Sequence, residues 1–255
     1  MGDVAVRLFQ GLGEGVGAQV GVFDGALGAY GVALDGGGGG VAHHEAAGLQ
    51  LGQPLGHVAA IAFGRGLVEG VDAIIHFGGV STEHSFEDIL GPNICGVFHV
   101  YEAARKHGVK RIIFASSNHT IGFYRQDERI DAHSPRRPDS YYGLSKCYGE
   151  DVASFYFDRY GIETVSIRIG SSFPQPQNPR MLCTWLSYDD LVQLIERGLF
   201  TPNVGHTIVY GASDNRTVWW DNRHAAHLGY VPKDRSEAFR AAVEAQPAPA
   251  ADVPS

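Results

Sequence analysis

Tyr142 and Lys146 are the two residues whose types and spacing most directly suggest chemistry. In a helix, residues four apart lie on one face, a turn from each other. A free tyrosine has a pKa of about 10 and is a poor base at neutral pH, whereas a nearby lysine ammonium favours the phenolate and lowers that pKa. Such a tyrosine can take a proton from an alcohol while another group accepts the hydride.

The Tyr-x-x-x-Lys spacing has an ordinary alternative, because such pairs occur by chance on exposed helices. The segment before it favours the chemical interpretation. Residues 109–118 have the pattern of a buried strand that ends in the hydroxyls of Ser116 and Ser117. Ligands of open α/β sheets bind at the carboxyl ends of strands, so a hydroxyl there could hydrogen-bond the reacting oxygen.

A strand ending in serine, followed by Tyr-x-x-x-Lys, resembles the catalytic pattern of the short-chain dehydrogenases/reductases. The sequence resembles their extended branch and, within it, the uronate dehydrogenases. The resemblance covers about residue 68 to about residue 245 and is carried by His76–Ser81, Phe114–Gly122, Tyr142–Cys147, Arg168–Ser171, Arg180–Leu182 and Trp219–Asn222. These segments are specific through their number and order, whereas each alone is not.

The resemblance implies an α/β fold, a doubly wound parallel sheet (Rossmann-like) with a small C-terminal substrate region. We expect a dinucleotide-binding domain over residues 1–170, a substrate-binding region over 171–245 and a disordered tail over 246–255. The implied reaction is NAD-dependent oxidation of a hexuronic acid, galacturonate or glucuronate, at C1 to an aldarolactone. Two alternatives stay open: a sugar-nucleotide epimerase or dehydratase of the same family, and a non-catalytic remnant that cannot bind NAD.

The resemblance also implies roles for single residues. Tyr142 takes the hydroxyl proton, Ser117 hydrogen-bonds the same oxygen, and Lys146 lowers the tyrosine pKa and holds the nicotinamide ribose. Arg180 is expected to bind the substrate carboxylate, because a guanidinium matches a carboxylate bidentately; a plain surface arginine is the alternative. The other expected substrate contacts are Ser81, Asn118, His119 and Ser171. The expected cofactor-binding residues are Gly78, Gly79, Asn93, Tyr142, Lys146 and Ile169, and Asn93 should also support the strand that carries Ser117.

Residues 1–66 differ in composition from the rest of the chain. Glycine is dense, with a run from Gly36 to Gly40, and lysine is absent. Because glycine is costly inside helices and strands, we expect irregular structure here. One hypothesis is that this segment is translated from a wrong reading frame that rejoins the correct one near Leu67. Sequencing the coding DNA tests it: an intact dinucleotide-binding motif in another frame supports the hypothesis, and its absence excludes it.

The dinucleotide-binding turn implied by the resemblance should also lie in this segment. Its nearest match is Gly25, Gly28 and Gly31, which follow a short apolar run. Glycines in this motif let the backbone approach a pyrophosphate at the N-terminus of a helix. Asp24 is unfavourable there, because it would place a negative charge beside the pyrophosphate.

Composition sets the broad class. A chain of 255 residues is long enough for one α/β domain with a small appendage. Its net charge of −8 argues against nucleic acid or an anionic membrane as partner. The partner that the resemblance implies is a small-molecule uronic acid, and a homo-oligomer stays open. Three scattered cysteines, Cys95, Cys147 and Cys183, suggest core or near-core residues of a cytoplasmic protein. The histidines show no ligand spacing, so no metal is implied.

Helix and strand signals surround the key residues. The predicted strands are Val71–Phe77, Glu163–Gly170 and Thr207–Tyr210, in addition to the strand before Asn118. The predicted helices are Ser85–His107, Tyr142 to Tyr160 with Gly161 as C-cap, Tyr188 to Phe200 with Ser187 as N-cap, and Ser236–Ala245. Pro92 should kink the first of these helices or lie in its first turn, because proline lacks an N–H. The long segment from Asn118 to Asp139 is expected to be a functional or disordered loop.

Overall fold

A five-stranded parallel sheet forms the centre of the molecule. The structure, a computed structural model, describes Val58–Ala59 and residues 72–246. The five strands, in their spatial order, are β1 (Val58–Ala59), β2 (Ala73–His76), β3 (Arg111–Ser117), β5 (Glu163–Ile169) and β6 (His206–Gly211). A second, two-stranded parallel sheet pairs β4 (Ile130–Asp131) with β7 (Trp220–Asp221). The predicted turn at Gly25, Gly28 and Gly31 and the predicted tail after Gln246 lie outside the described residues.

Helices pack on both faces of the main sheet. They are α1 (Phe86–Ile89), a π-helical segment (Leu90–Cys95), α2 (Gly96–His107), α3 (Tyr141–Tyr160), α4 (Met181–Thr184), α5 (Tyr188–Phe200) and α6 (Arg240–Glu244). Alternate strand residues face opposite sides: Ile74 and Ile112 pack with side chains of α2 and α3, and Ile75 and Ile113 pack with side chains of α5. This arrangement confirms the predicted doubly wound parallel sheet.

Most predicted helix ends agree with the structure. The Ser85 and Ser187 hydroxyls cap α1 and α5, and Gly161 ends α3 in the left-handed conformation with φ of 65°. Pro92 lies in the π-helical segment between α1 and α2, so the predicted irregularity is present as a change of helix type. The predicted last helix begins as a 3₁₀ helix, Ser236–Phe239, and only its second half is α-helical.

The segment from Asn118 to Asp139, predicted to be a functional or disordered loop, is a long connection that contains a 3₁₀ helix (Asn118–Ile121) and β4. One expectation about the cysteines was wrong. Cys95 was expected in or near the core and is exposed, since it ends the π-helical segment on its outer side. Cys147 is buried and Cys183 is half-buried, as expected.

The strand register brings the predicted functional positions to one edge. Ser117 at the end of β3 pairs with Ile169 at the end of β5, and His76 at the end of β2 pairs with Phe114. In a parallel sheet these carboxyl ends share one edge, where ligands of such folds bind. Within residues 72–246, no helix is both long and apolar enough to cross a membrane.

Candidate active site

Tyr142, Lys146 and Ser117 meet at the carboxyl edge of the sheet. Tyr142 lies in the first turn of α3, and its phenol interacts with the Ser117 side chain at the end of β3. Lys146 follows one turn later, with its Nζ 5.6 Å from the centre of the Tyr142 ring. The same Nζ donates a 2.8 Å hydrogen bond to the carbonyl oxygen of Ala115. The structure therefore brings together the three residues to which the sequence predicted catalytic roles.

The pKa of Tyr142 does not shift in the predicted direction. Burial raises the pKa of the Tyr142 phenol, and the hydrogen bond from Ser117 offsets only part of that rise. The predicted lowering by Lys146 is therefore not seen. Burial also lowers the pKa of Lys146 to about 8, because the charged form has lost its water. The ammonium remains the predominant form at pH 7 and lies beside the phenol.

Close backbone packing fixes the start of α3 against the end of β3. The Ser140 hydroxyl caps the helix by accepting a 3.0 Å hydrogen bond from the amide of Gly143. Gly143 approaches the carbonyl oxygen of His119 so closely that a Cβ there would lie 2.4 Å from it. Any side chain at Gly143 would push the Tyr142 turn away from Ser117.

His119 packs directly against Tyr142. The two rings meet edge to face with centres 5.4 Å apart. The His119 Nδ1 lies 2.8 Å from a carboxylate oxygen of Asp139, which also accepts a hydrogen bond from the Ser140 hydroxyl. Asp139 therefore sets the orientation of the imidazole and leaves Nε2 for another partner. Nothing in the sequence pointed to Asp139 beyond its place before the helix cap.

Asn93 has a different role from the predicted one. Its side chain is buried and holds Val80 from both sides, accepting from the Val80 amide at 2.7 Å and donating to the Val80 carbonyl at 3.0 Å. It also donates to the Ser145 hydroxyl at 3.0 Å. Asn93 thus joins the segment after β2 to α3, rather than supporting the strand that carries Ser117.

The predicted substrate residues differ from one another in burial and in hydrogen bonding. Arg180 is exposed, and its guanidinium has no hydrogen bond or ion pair with the described residues. Ser81 is also exposed, whereas Asn118 is buried beside Ser117. The Ser171 hydroxyl pairs with that of Thr184 at 3.0 Å, so in this structure it supports the segment after Arg180.

A buried ion pair lies beneath the catalytic residues. Arg168 on β5 forms two 2.8 Å hydrogen bonds with the carboxylate of Glu150 on α3, and both side chains are fully buried. Glu150 also accepts a 2.7 Å hydrogen bond from Ser116, the neighbour of Ser117. We call Arg168, Glu150 and Ser116 the buried clamp. It fixes α3 on the sheet one turn beyond Lys146.

The residues around Lys146 fit the nicotinamide end of a dinucleotide. Gly79 follows β2 with φ of 123°, a conformation that favours glycine. Lys146 uses one hydrogen bond on the Ala115 carbonyl, and its other N–H groups have no partner among residues 72–246. His76 is buried with no hydrogen-bond partner for either ring nitrogen among those residues, and burial lowers its pKa to about 3. Polar groups of this kind suit a ribose.

Comparison with known proteins gives a consistent result. Residues 62–186 match the NAD dependent epimerase/dehydratase family. The uronate dehydrogenase of Pseudomonas putida is 96% identical over 189 residues, which cover 74% of this chain and 70% of that protein.

Solved structures of a glucuronic acid dehydrogenase and a uronate dehydrogenase are also similar to this chain. A glucuronic acid dehydrogenase from Chromohalobacter salexigens has 47% identity and a TM-score of 0.71, with 76% of this chain and 81% of that chain covered. A point variant of the Agrobacterium tumefaciens uronate dehydrogenase, complexed with NAD, has 46% identity and a TM-score of 0.72, with 77% and 82% covered. The chain belongs to the uronate dehydrogenases of the NAD-dependent epimerase/dehydratase family.

Proposed function

We propose that this chain oxidises a hexuronic acid, galacturonate or glucuronate, at C1 with NAD and releases an aldarolactone. The observation that carries the proposal is the contact of the Tyr142 phenol with Ser117, beside the buried ammonium of Lys146. The similarity to proteins named uronate dehydrogenase and glucuronic acid dehydrogenase supports the substrate class.

In the proposed reaction, Tyr142 removes the proton of the C1 hydroxyl. Ser117 hydrogen-bonds the same oxygen and keeps it in reach of the phenol. Lys146 stabilises the phenolate form electrostatically, which opposes the effect of burial on the Tyr142 pKa. NAD, when bound, supplies the acceptor for the hydride that leaves C1. The proton thus goes to Tyr142 and the electron pair leaves with the hydride, which balances a two-electron oxidation.

Arg180 is the proposed partner of the substrate carboxylate. Its exposed guanidinium has no anion among the described residues, so it is available for a bidentate pair. His119 and Ser81 are proposed to orient the sugar hydroxyls, together with Asn118 and Ser171. The proposed domain division is a dinucleotide-binding part over residues 1–170 and a substrate-binding part over 171–245, in a protein that acts in the cytoplasm.

Two other functions are less well supported. A sugar-nucleotide epimerase or dehydratase would not need a cation for a substrate carboxylate, which is the role proposed for Arg180. A remnant that cannot bind NAD would retain the buried residues of the fold, but it would have no use for a lysine buried beside a tyrosine.

The test is an assay of the full chain with NAD and either galacturonate or glucuronate, following the absorbance of NADH. We expect turnover of the uronates and at least about 100-fold lower kcat/KM with galactose, which lacks the carboxylate. Titration with NAD by calorimetry is the companion measurement. NAD binding without turnover of either uronate would contradict the substrate assignment, and absence of NAD binding would favour the remnant.

A further inference from the structure

Glu83 is bound to the backbone of the catalytic turn. Its carboxylate accepts hydrogen bonds from the Tyr142 amide at 2.9 Å and from the Tyr141 amide at 3.2 Å. The first turn of α3 has no acidic residue of its own. Unpaired amides and the helix dipole favour a carboxylate at a helix N-terminus. Glu83 therefore supplies, from a distant part of the chain, the negative charge that α3 lacks.

The segment that carries Glu83 is fastened to α3 at a second point. Asn93 holds Val80 by two hydrogen bonds and donates to the Ser145 hydroxyl. That hydroxyl in turn donates a 2.7 Å hydrogen bond to the Tyr142 carbonyl. Both fastenings thus end in the turn that contains Tyr142. Ser81 lies between them, and it makes no hydrogen bond of its own with the described residues.

We propose that Glu83 is a positioning residue that sets the place of Ser81 against Tyr142, and thereby substrate affinity, without touching the substrate. The inference rests on the proposed function of Ser81 as a substrate contact. Loss of the Glu83 carboxylate leaves Val80 and Gly79 held by Asn93, so the loosening is confined to the Ser81 side. Only a minor fraction of the molecules then has the arrangement that binds substrate, and the apparent affinity for the substrate falls in proportion to that fraction.

The first experiment compares Glu83→Ala with Glu87→Ala in the full chain. Glu87 is an equally charged, exposed residue four positions later, with no hydrogen bond or ion pair to the described residues. We expect Glu83→Ala to raise KM for the uronate about 10-fold, with kcat and KM for NAD changed less than about 2-fold. Glu83→Gln retains one acceptor oxygen for an amide and should give an intermediate KM. Glu87→Ala should behave as the wild type.

The second experiment places Glu83→Ala in a Ser81→Ala background. If Glu83 acts through Ser81, the two changes are not additive, and Glu83→Ala adds less than about 2-fold to KM in that background. An undiminished 10-fold effect there, or an unchanged KM in Glu83→Ala alone, overturns the proposal.

A third measurement does not depend on activity. Amide hydrogen exchange at Tyr141 and Tyr142 should become at least about 10-fold faster in Glu83→Ala and stay unchanged in Glu87→Ala. Unchanged exchange in Glu83→Ala overturns the anchoring role. If the chain turns over no uronate at all, the proposed function fails, whereas the exchange rates still decide whether Glu83 holds the turn.

Discussion

Lys146 and Arg168 are both buried cations beside the main sheet, and the protein holds them in opposite ways. Arg168 donates three hydrogen bonds, two to the Glu150 carboxylate and one of 3.0 Å to the Tyr210 hydroxyl. Among the described residues, Lys146 has one hydrogen-bond partner, the uncharged carbonyl of Ala115. Burial alone would lower the pKa of Arg168, but the Glu150 carboxylate raises it. Lys146 has no such compensation, and its pKa falls.

The difference indicates separate tasks. A buried cation with a bidentate carboxylate is stable as a positioned unit, and the buried clamp fixes α3 on β3 and β5. A buried ammonium without a carboxylate costs folding free energy and is expected where chemistry needs the charge. One turn of α3 therefore separates Glu150, which stabilises the fold, from Lys146, which is proposed to act in the reaction. The following predictions test this contrast.

The largest effect is expected from removing the charge of the clamp. Arg168→Met leaves the Glu150 carboxylate buried with the Ser116 hydroxyl, and Arg136, 3.8 Å away, is then its one ion-pair partner within residues 72–246. We expect a loss of about 3–5 kcal/mol in the free energy of unfolding, measured by denaturant titration. The double variant Arg168→Met, Glu150→Met should recover most of it, because no unpaired charge remains. A single variant as stable as the wild type would contradict the clamp.

The next effect concerns a third cation, Arg180, which is exposed and has no ion pair in the part of the chain that the structure describes. Arg180→Ala should leave the free energy of unfolding within about 0.5 kcal/mol of the wild-type value. KM for the uronate should rise roughly 100-fold, the loss of about 2.7 kcal/mol expected for a bidentate charged contact. Denaturant titration measures the free energy of unfolding, and steady-state kinetics measure KM. Arg216→Ala is the matched control, because Arg216 is another exposed arginine of the C-terminal region, and an equal rise in KM there would refute the assignment.

The smallest expected effect is a gain in the free energy of unfolding rather than a loss. Lys146→Met removes a buried charge that has no counter-ion among residues 72–246, so we expect the variant to be about 1 kcal/mol more stable than the wild type at pH 7, although inactive. The pKa of Lys146 is about 8 in the folded chain and 10.5 ordinarily. Between these values the unfolded chain binds more protons, so wild-type stability rises with pH and the advantage of Lys146→Met shrinks. Chemical denaturation at pH 7, 9 and 10.5 measures this trend, and a constant difference would count against it.

Much of the fold could be predicted because its signals are local. Ser85, Ser187 and Gly161 mark helix ends by their own chemistry. The Tyr142 and Lys146 pair depends only on helix periodicity, and the position of Ser117 depends on the end of an apolar strand. These features need no knowledge of what lies across the molecule.

The parts that were missed depend on contacts between distant segments. Glu83 and Tyr142 are 59 residues apart, and nothing in the sequence of either segment indicates a contact with the other. Glu150 and Arg168 gave a weaker signal, since Arg168 is a charge within an otherwise apolar strand and such a charge needs a buried partner. Asn93 was recognised as important, but its partners Val80 and Ser145 were not, because side-chain direction follows from tertiary packing.

The central claim is that Tyr142 is the base of the reaction, and Tyr142→Phe tests it most directly. The substitution removes one oxygen from a buried ring and keeps the packing with His119 and Lys146. We expect turnover of galacturonate or glucuronate with NAD to fall by at least about 10³-fold, while NAD and the uronate still bind with near wild-type affinity in calorimetry. Turnover close to that of the wild type in Tyr142→Phe would contradict the account.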